Sequence, residues 1–252
     1  MEADDIPASF VGALGLELWF EDGYTHGRAE VIPEMLAPGT DRLRLGVLAT
    51  LVDVVAGSLP TGPVNPTVDL RVSLLALPPA AGMVYLVCHP AKLGRRLFVG
   101  ETLMHTGDVD RPFARSLITF VNEPIVGASG EAPPAERPVG APSFDALLRP
   151  RYPDERTVEI DAHPWISNGI AGTIQGGAQA LLAEIAGEHA VAARGLMTTD
   201  LDIRFLNRMR AGPVAATADV LPGEPDGATV RVAITDQGDG GRIVSLTSLL
   251  CR

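Results

Sequence analysis

One carboxylate stands in the middle of an otherwise apolar run, Asp53 in LGVLATLVDVVAGSL (45–59). Buried without a partner in its own core, such a group would be strongly destabilising. On a helix, residues three, four and seven apart share a face. Asp53 therefore lies with Gly46, Ala49, Thr50, Ala56 and Gly57, nearly all small, while Leu48, Leu51, Val52 and Val55 make ordinary core. Small residues let a second element or a ligand come close, so the carboxylate is expected to face a cleft between two parts of the chain. There it can take a proton from water or attack a carbonyl carbon, and general-base assistance is typically worth about 10² to 10⁴ in rate.

A second run repeats the first. GAQALLAEIAG, from Gly177, carries Glu184 where GVLATLVDVVAG, from Gly46, carries Asp53, and the pairs Gly46/Gly177, Ala49/Ala180, Leu51/Leu182 and Asp53/Glu184 share one interval of 131 residues. The same interval relates TVDLRVSLL, from Thr67, to TTDLDIRFL, from Thr198. One interval across two separate segments marks a duplicated architecture. Each copy has an opening strand (GRAEVI, TVEIDA) and a long helix, at about 42 to 57 and about 173 to 193. Period-two segments follow at about 66–75, 83–91, 95–106 and 113–122, and again at about 198–207, 213–221, 228–235 and 242–251. Turn-forming stretches such as PPAAG and PGEPDG separate them, which suits antiparallel strands. Residues 122–155, rich in Pro, Gly and Ala, read as a linker between a first repeat (1–121) and a second (156–252).

The start of the second helix adds a chemical element. Gly176 and Gly177 would present backbone N–H groups unshielded by side chains, at the positive end of the helix dipole. Such donors stabilise a developing oxyanion, at roughly 3 to 4 kcal/mol each in the transition state. Leu45 and Gly46 offer the same pair less openly.

A helix and antiparallel strands duplicated in tandem resemble an α+β double hotdog fold, over nearly the whole chain. NGIAGTIQGGAQALLAE (168–184) resembles the pattern of acyl-CoA thioesterases of the phenylacetate-degradation type, and TTDLDIRFL and TVDLRVSLL resemble the strand that follows it there. Three departures stand out: Gln175 replaces the commoner His, Glu184 the commoner Asp, and Asn168 lies one residue further from the glycine pair. The resemblance implies sites shared between the halves. One would join Asp53 and Thr67 to Asn168, Gln175, Gly176 and Gly177. The other would join Glu184 and Thr198 to the region of Arg44 and Leu45, which has no Asn, so one competent and one degenerate site are expected. It also implies hydrolysis of an acyl-CoA thioester without metal or redox cofactor, coenzyme A being part of the substrate. A non-catalytic acyl-CoA-binding or structural hotdog protein stays open as the alternative. A hydratase is disfavoured, because no His stands near the helix start to pair with the acid.

The remaining composition narrows the partners. A net charge of −11 disfavours nucleic acid and anionic membrane, which need a basic surface. The candidates for coenzyme A phosphate contacts are two local clusters, Lys92, Arg95 and Arg96, and Arg204, Arg208 and Arg210. Cys88 and Cys251 have no metal or disulfide spacing, the five histidines form no ligand pattern, and MEADDIPASF has neither a basic nor an apolar leader region. A soluble cytoplasmic protein is expected. The sequence does not fix the acyl group or the oligomer, and a homo-oligomer of double-hotdog chains would bury sheet edges.

Overall fold

The computed structural model describes residues 9–58, 66–122, 142–167, 173–223 and 226–252. Asn168 and most of the expected linker lie outside them. The first half comprises β1 (Glu17–Glu21), β2 (Tyr24–Val31), helix α1 (Leu45–Gly57), β3 (Thr67–Leu74), β4 (Gly82–Leu93), β5 (Leu97–His105) and β6 (Ala114–Val121). A short helix α2 (Phe144–Leu147) precedes β7 (Thr157–Ile160), helix α3 (Gly176–Ala190), β8 (Thr198–Phe205), β9 (Val214–Leu221), β10 (Ala228–Asp236) and β11 (Arg242–Cys251). The helices have 13 and 15 residues and are shorter than their apolar patterns. Arg44 and Gln175 keep extended backbone at the N-termini, and beyond α3 a 3₁₀ turn ends at Gly195, whose φ is 63°.

All the strands join one antiparallel sheet in the order β1-β2-β4-β5-β6-β3-β8-β11-β10-β9-β7. Its centre is the β3–β8 pair, where Asp69 faces Arg204 and Ser73 faces Asp200, two pairings that interchange under the 131-residue interval. The helices obey the same symmetry. A Cβ on Gly46 would overlap the backbone of Leu181, and a Cβ on Gly177 would overlap the side chain of Thr50, so the two glycines bring α1 and α3 into close contact. Packed between α3 and the sheet, α1 is buried almost all round, as its uninterrupted hydrophobicity requires.

Alternation alone would misplace one site residue. Leu70 and Val72 point into the core, so strict period two would turn Thr67 outward. Between Thr67 and Asp69 the pairing with β6 slips by one residue, and this bulge at Val68 returns Thr67 to the helix side. The same slip occurs between Leu250 and Cys251 opposite Thr198 and Asp200, and Thr198 is fully buried.

The expected linker is corrected at its C-terminal end. Ser143 caps α2 by accepting from the Ala146 N–H. Phe144, Leu147 and Leu148 are buried, and Phe144 packs edge-on against Phe10 (5.3 Å), which in turn packs against Trp165 (5.0 Å). The apolar positions of FDALL anchor this segment despite the Pro-rich sequence around it. No helix among the described residues is long and apolar enough to cross a membrane.

Candidate active site

Asp53 leaves α1 on the face turned toward the start of α3. Its Oδ1 accepts from the Thr67 hydroxyl at 2.5 Å, and its Oδ2 accepts from the Gln175 amide Nε2 at 3.3 Å. Gln175 is held in turn, because its Oε1 accepts from the Ala178 N–H at 3.0 Å and caps α3. One side chain thus fixes both the helix start and the acid from the other half. Burial pushes the Asp53 carboxyl up to about 6, and the Thr67 hydrogen bond opposes this only in part. Both donors are neutral, and among the described residues no cation is paired with Asp53.

Gly176 borders the carboxylate. A Cβ there would lie 3.1 Å from Cζ of Phe205 and 3.6 Å from Asp53 Oδ2, so any side chain would enter the space between ring and acid. Among the described residues no acceptor takes the N–H of Gly176 or Gly177. The symmetry-related amides show what such a pair can hold: the Leu45 N–H donates to Glu184 Oε1 at 3.1 Å and the Gly46 N–H to Glu184 Oε2 at 2.8 Å. Glutamate is one methylene longer than aspartate, and its carboxylate reaches the amides that Asp53 leaves to others.

Around Glu184 the chain has built an ion network. Arg44, the counterpart of Gln175, lies 3.7 Å from Glu184, makes a bidentate pair with buried Asp145 of α2, and reaches Glu188 at 2.5 Å. Arg42 also pairs with Glu188 and donates to the Thr198 carbonyl at 2.8 Å. Burial raises the Glu184 carboxyl, opposed by Arg44, whereas for Glu188 the two arginines outweigh burial and hold it below the ordinary range. The Thr198 hydroxyl faces Cys251 Sγ at 3.8 Å, not Glu184, so the Thr67–Asp53 contact has no counterpart here.

The structure brings Asp53, Thr67, Gln175 and Gly176 together, with Gly177 one residue on at the helix crossing. Glu184 meets Arg44, Leu45 and Gly46, and Thr198 stands apart from it. Of the basic clusters, Lys92, Arg95 and Arg96 occupy the exposed end of the β4–β5 hairpin, and Arg204 is drawn to Asp202. Arg208 and Arg210 line a cavity beside Thr173. Sequence reasoning missed Phe205, Arg42, Glu188 and Asp145. Glu188, one turn beyond Glu184 on the same face, was open to discovery by helical spacing.

No protein-family profile matches the chain, and neither does any curated protein. Solved structures do. The tesB protein of Mycobacterium avium subs paratuberculosis aligns over 93% of this chain and 95% of its own, with TM-score 0.68 and 13% identity. A conserved protein with hot dog fold from Alicyclobacillus acidocaldarius aligns over 100% and 97%, with TM-score 0.62 and 14% identity. A 12:0-ACP thioesterase from Umbellularia californica aligns over 93% and 99%, with TM-score 0.62 and 11% identity. The chain has the hot dog fold.

Proposed function

We propose that the chain hydrolyses acyl thioesters, with two tandem hot dog units whose central helices are α1 and α3 and one working site between them. The observation that carries this reading is a half-buried acid with neutral donors, set beside the start of α3, where among the described residues no acceptor takes the N–H of Gly176 or Gly177. An acid that holds its proton up to about 6 is a stronger base at neutral pH than an ordinary aspartate, while still ionised there. Thr67 and Gln175 fix its orientation, so that its free lone pairs face a water beside the thioester carbonyl. Asp53 takes the water proton as the oxygen adds to the carbonyl carbon. The N–H groups of Gly176 and Gly177 hold the resulting oxyanion. Collapse breaks the carbon–sulfur bond, and the proton on Asp53 passes to the departing thiolate, leaving free acid and thiol. The mate site does not act in this reading, because the Glu184 carboxylate occupies the amides an oxyanion would need. The substrate class we assign is acyl-CoA.

The test is release of free thiol from short, medium, long and aryl acyl-CoAs by wild type and Asp53→Asn. Turnover that falls at least about 10²-fold in the variant supports the reading. Undiminished turnover in Asp53→Asn, or no turnover on any acyl-CoA while coenzyme A still binds, overturns it in favour of a binding protein.

A further inference from the structure

The loop after β8 forms a cavity of about 540 Å³ with the start of β11 and Thr173, two residues before Gln175. Its lining is Thr173, Leu206, Asn207, Arg208, Met209, Arg210 and Arg242, so three arginines line one cavity of a chain whose net charge is −11. The loop is fastened from beneath. The buried Asp236 carboxylate accepts from the backbone N–H groups of Arg210, Ala211 and Gly212 at 2.6, 3.0 and 2.7 Å, and Met209 is buried. Asn207 donates to the Ile243 carbonyl at 2.8 Å and accepts from Arg242. The arginines differ in how far they are engaged, Arg242 most and Arg208 least. Arg208 has no partner among the described residues, and Asp239 approaches Arg210 only to 4.0 Å and Arg242 to 3.6 Å. Leu206, in the lining, follows Phe205, the residue that covers Gly176.

Resting on the thioesterase reading for its substrate, we infer that this cavity takes the phosphate groups of a coenzyme A carrier, with Arg208, Arg210 and Arg242 as cationic ligands and Asp236 as the residue that positions their loop. Planar guanidinium forks suit phosphate oxygens. Three of them match the several phosphates of coenzyme A better than the single phosphodiester of a protein-bound pantetheine arm.

The experiment is equilibrium binding of free coenzyme A and of pantetheine, at fixed salt, to wild type, to Arg208→Ala/Arg210→Ala and to Arg95→Ala/Arg96→Ala, which removes the other exposed arginine pair. All four side chains are exposed, so the variants should fold. The expected result is coenzyme A binding at least about tenfold tighter than pantetheine in wild type, a preference abolished at 208/210 and kept at 95/96. That outcome supports the cavity even if no thioester is cleaved. Equal binding of the two ligands, an unchanged preference in the 208/210 variant, or loss only in the 95/96 variant overturns it, whatever the hydrolysis assay shows. So does a 208/210 variant that loses binding to an acyl carrier protein but not to coenzyme A.

Discussion

Replacing Asp53 by Asn should make the protein more stable while it removes the base we propose. The free aspartate carboxyl loses its proton near 3.8, but in its pocket Asp53 keeps it to about 6. A folded state that binds the proton more tightly than the unfolded chain gains stability at low pH and loses it as pH rises through about 6. At about 1.4 kcal/mol per tenfold change in proton affinity, holding Asp53 ionised at pH 8 costs at most about 3 kcal/mol. Asp53 is only partly closed to solvent, which screens that charge, and an Asn Nδ2 would face the donor group of Gln175. The net gain expected for Asp53→Asn is therefore about 1 to 2 kcal/mol above pH 7, or about 3 to 6 °C in melting temperature for a chain of this size. It should shrink steadily between pH 6 and pH 4. Thermal melts of both proteins at half-unit intervals from pH 4.5 to 8 give the answer. Parallel curves across that range, or a variant less stable than wild type at pH 8, would refute the assignment of Asp53 as a base poised by burial.

Two further outcomes follow from the same contacts. Thr67→Val removes the hydrogen bond that holds the Asp53 carboxyl down, so the acid limb of kcat/KM should move to higher pH and the plateau fall roughly tenfold; a pH–rate profile with an unmoved limb counts against the contact. Arg44→Met leaves Asp145, Glu184 and Glu188 without their shared cation, and should destabilise the fold by about 3 to 5 kcal/mol in urea titrations with little change in the proposed turnover of the folded protein. A large loss of kcat with unchanged stability would instead place Arg44 in a working site.

What could be read in the sequence was whatever repetition or helical spacing exposes. The interval of 131 residues located both helices, both acids and the strand after each, and the small face around Asp53 pointed it at the other half. What escaped has no periodic signature. The bulge at Val68 is a one-residue slip that only pairing with β6 reveals, yet it turns Thr67 inward. The role of α2 depends on Phe10 and Trp165, distant in sequence, and its Asp145 acquires meaning only beside Arg44. Phe205 reads as one more apolar strand residue until Gly176 is seen beneath its ring.

The two acids occupy equivalent places on equivalent helices, and two small changes send them to opposite ends. Asp53 is too short to cap the amides of the facing helix and so turns to Thr67 and Gln175, whereas Glu184 is long enough to cap them and does. The residue before each helix completes the difference. Gln175 gives Asp53 a neutral donor, which orients the carboxylate and favours its ionised form less than a cation would. Arg44 brings a cation to Glu184 that favours the ionised form holding the cap, although burial outweighs it and still pushes the Glu184 carboxyl up. Neither change alone would separate the two arrangements. A long acid beside a neutral donor would still fill the amides, and a short acid beside arginine would be a weaker base. The asymmetry therefore resides in the pairs Asp53/Gln175 and Glu184/Arg44 taken together: beside the first, no acceptor among the described residues takes the facing amides, and in the second a carboxylate closes them and ties the two halves of the chain.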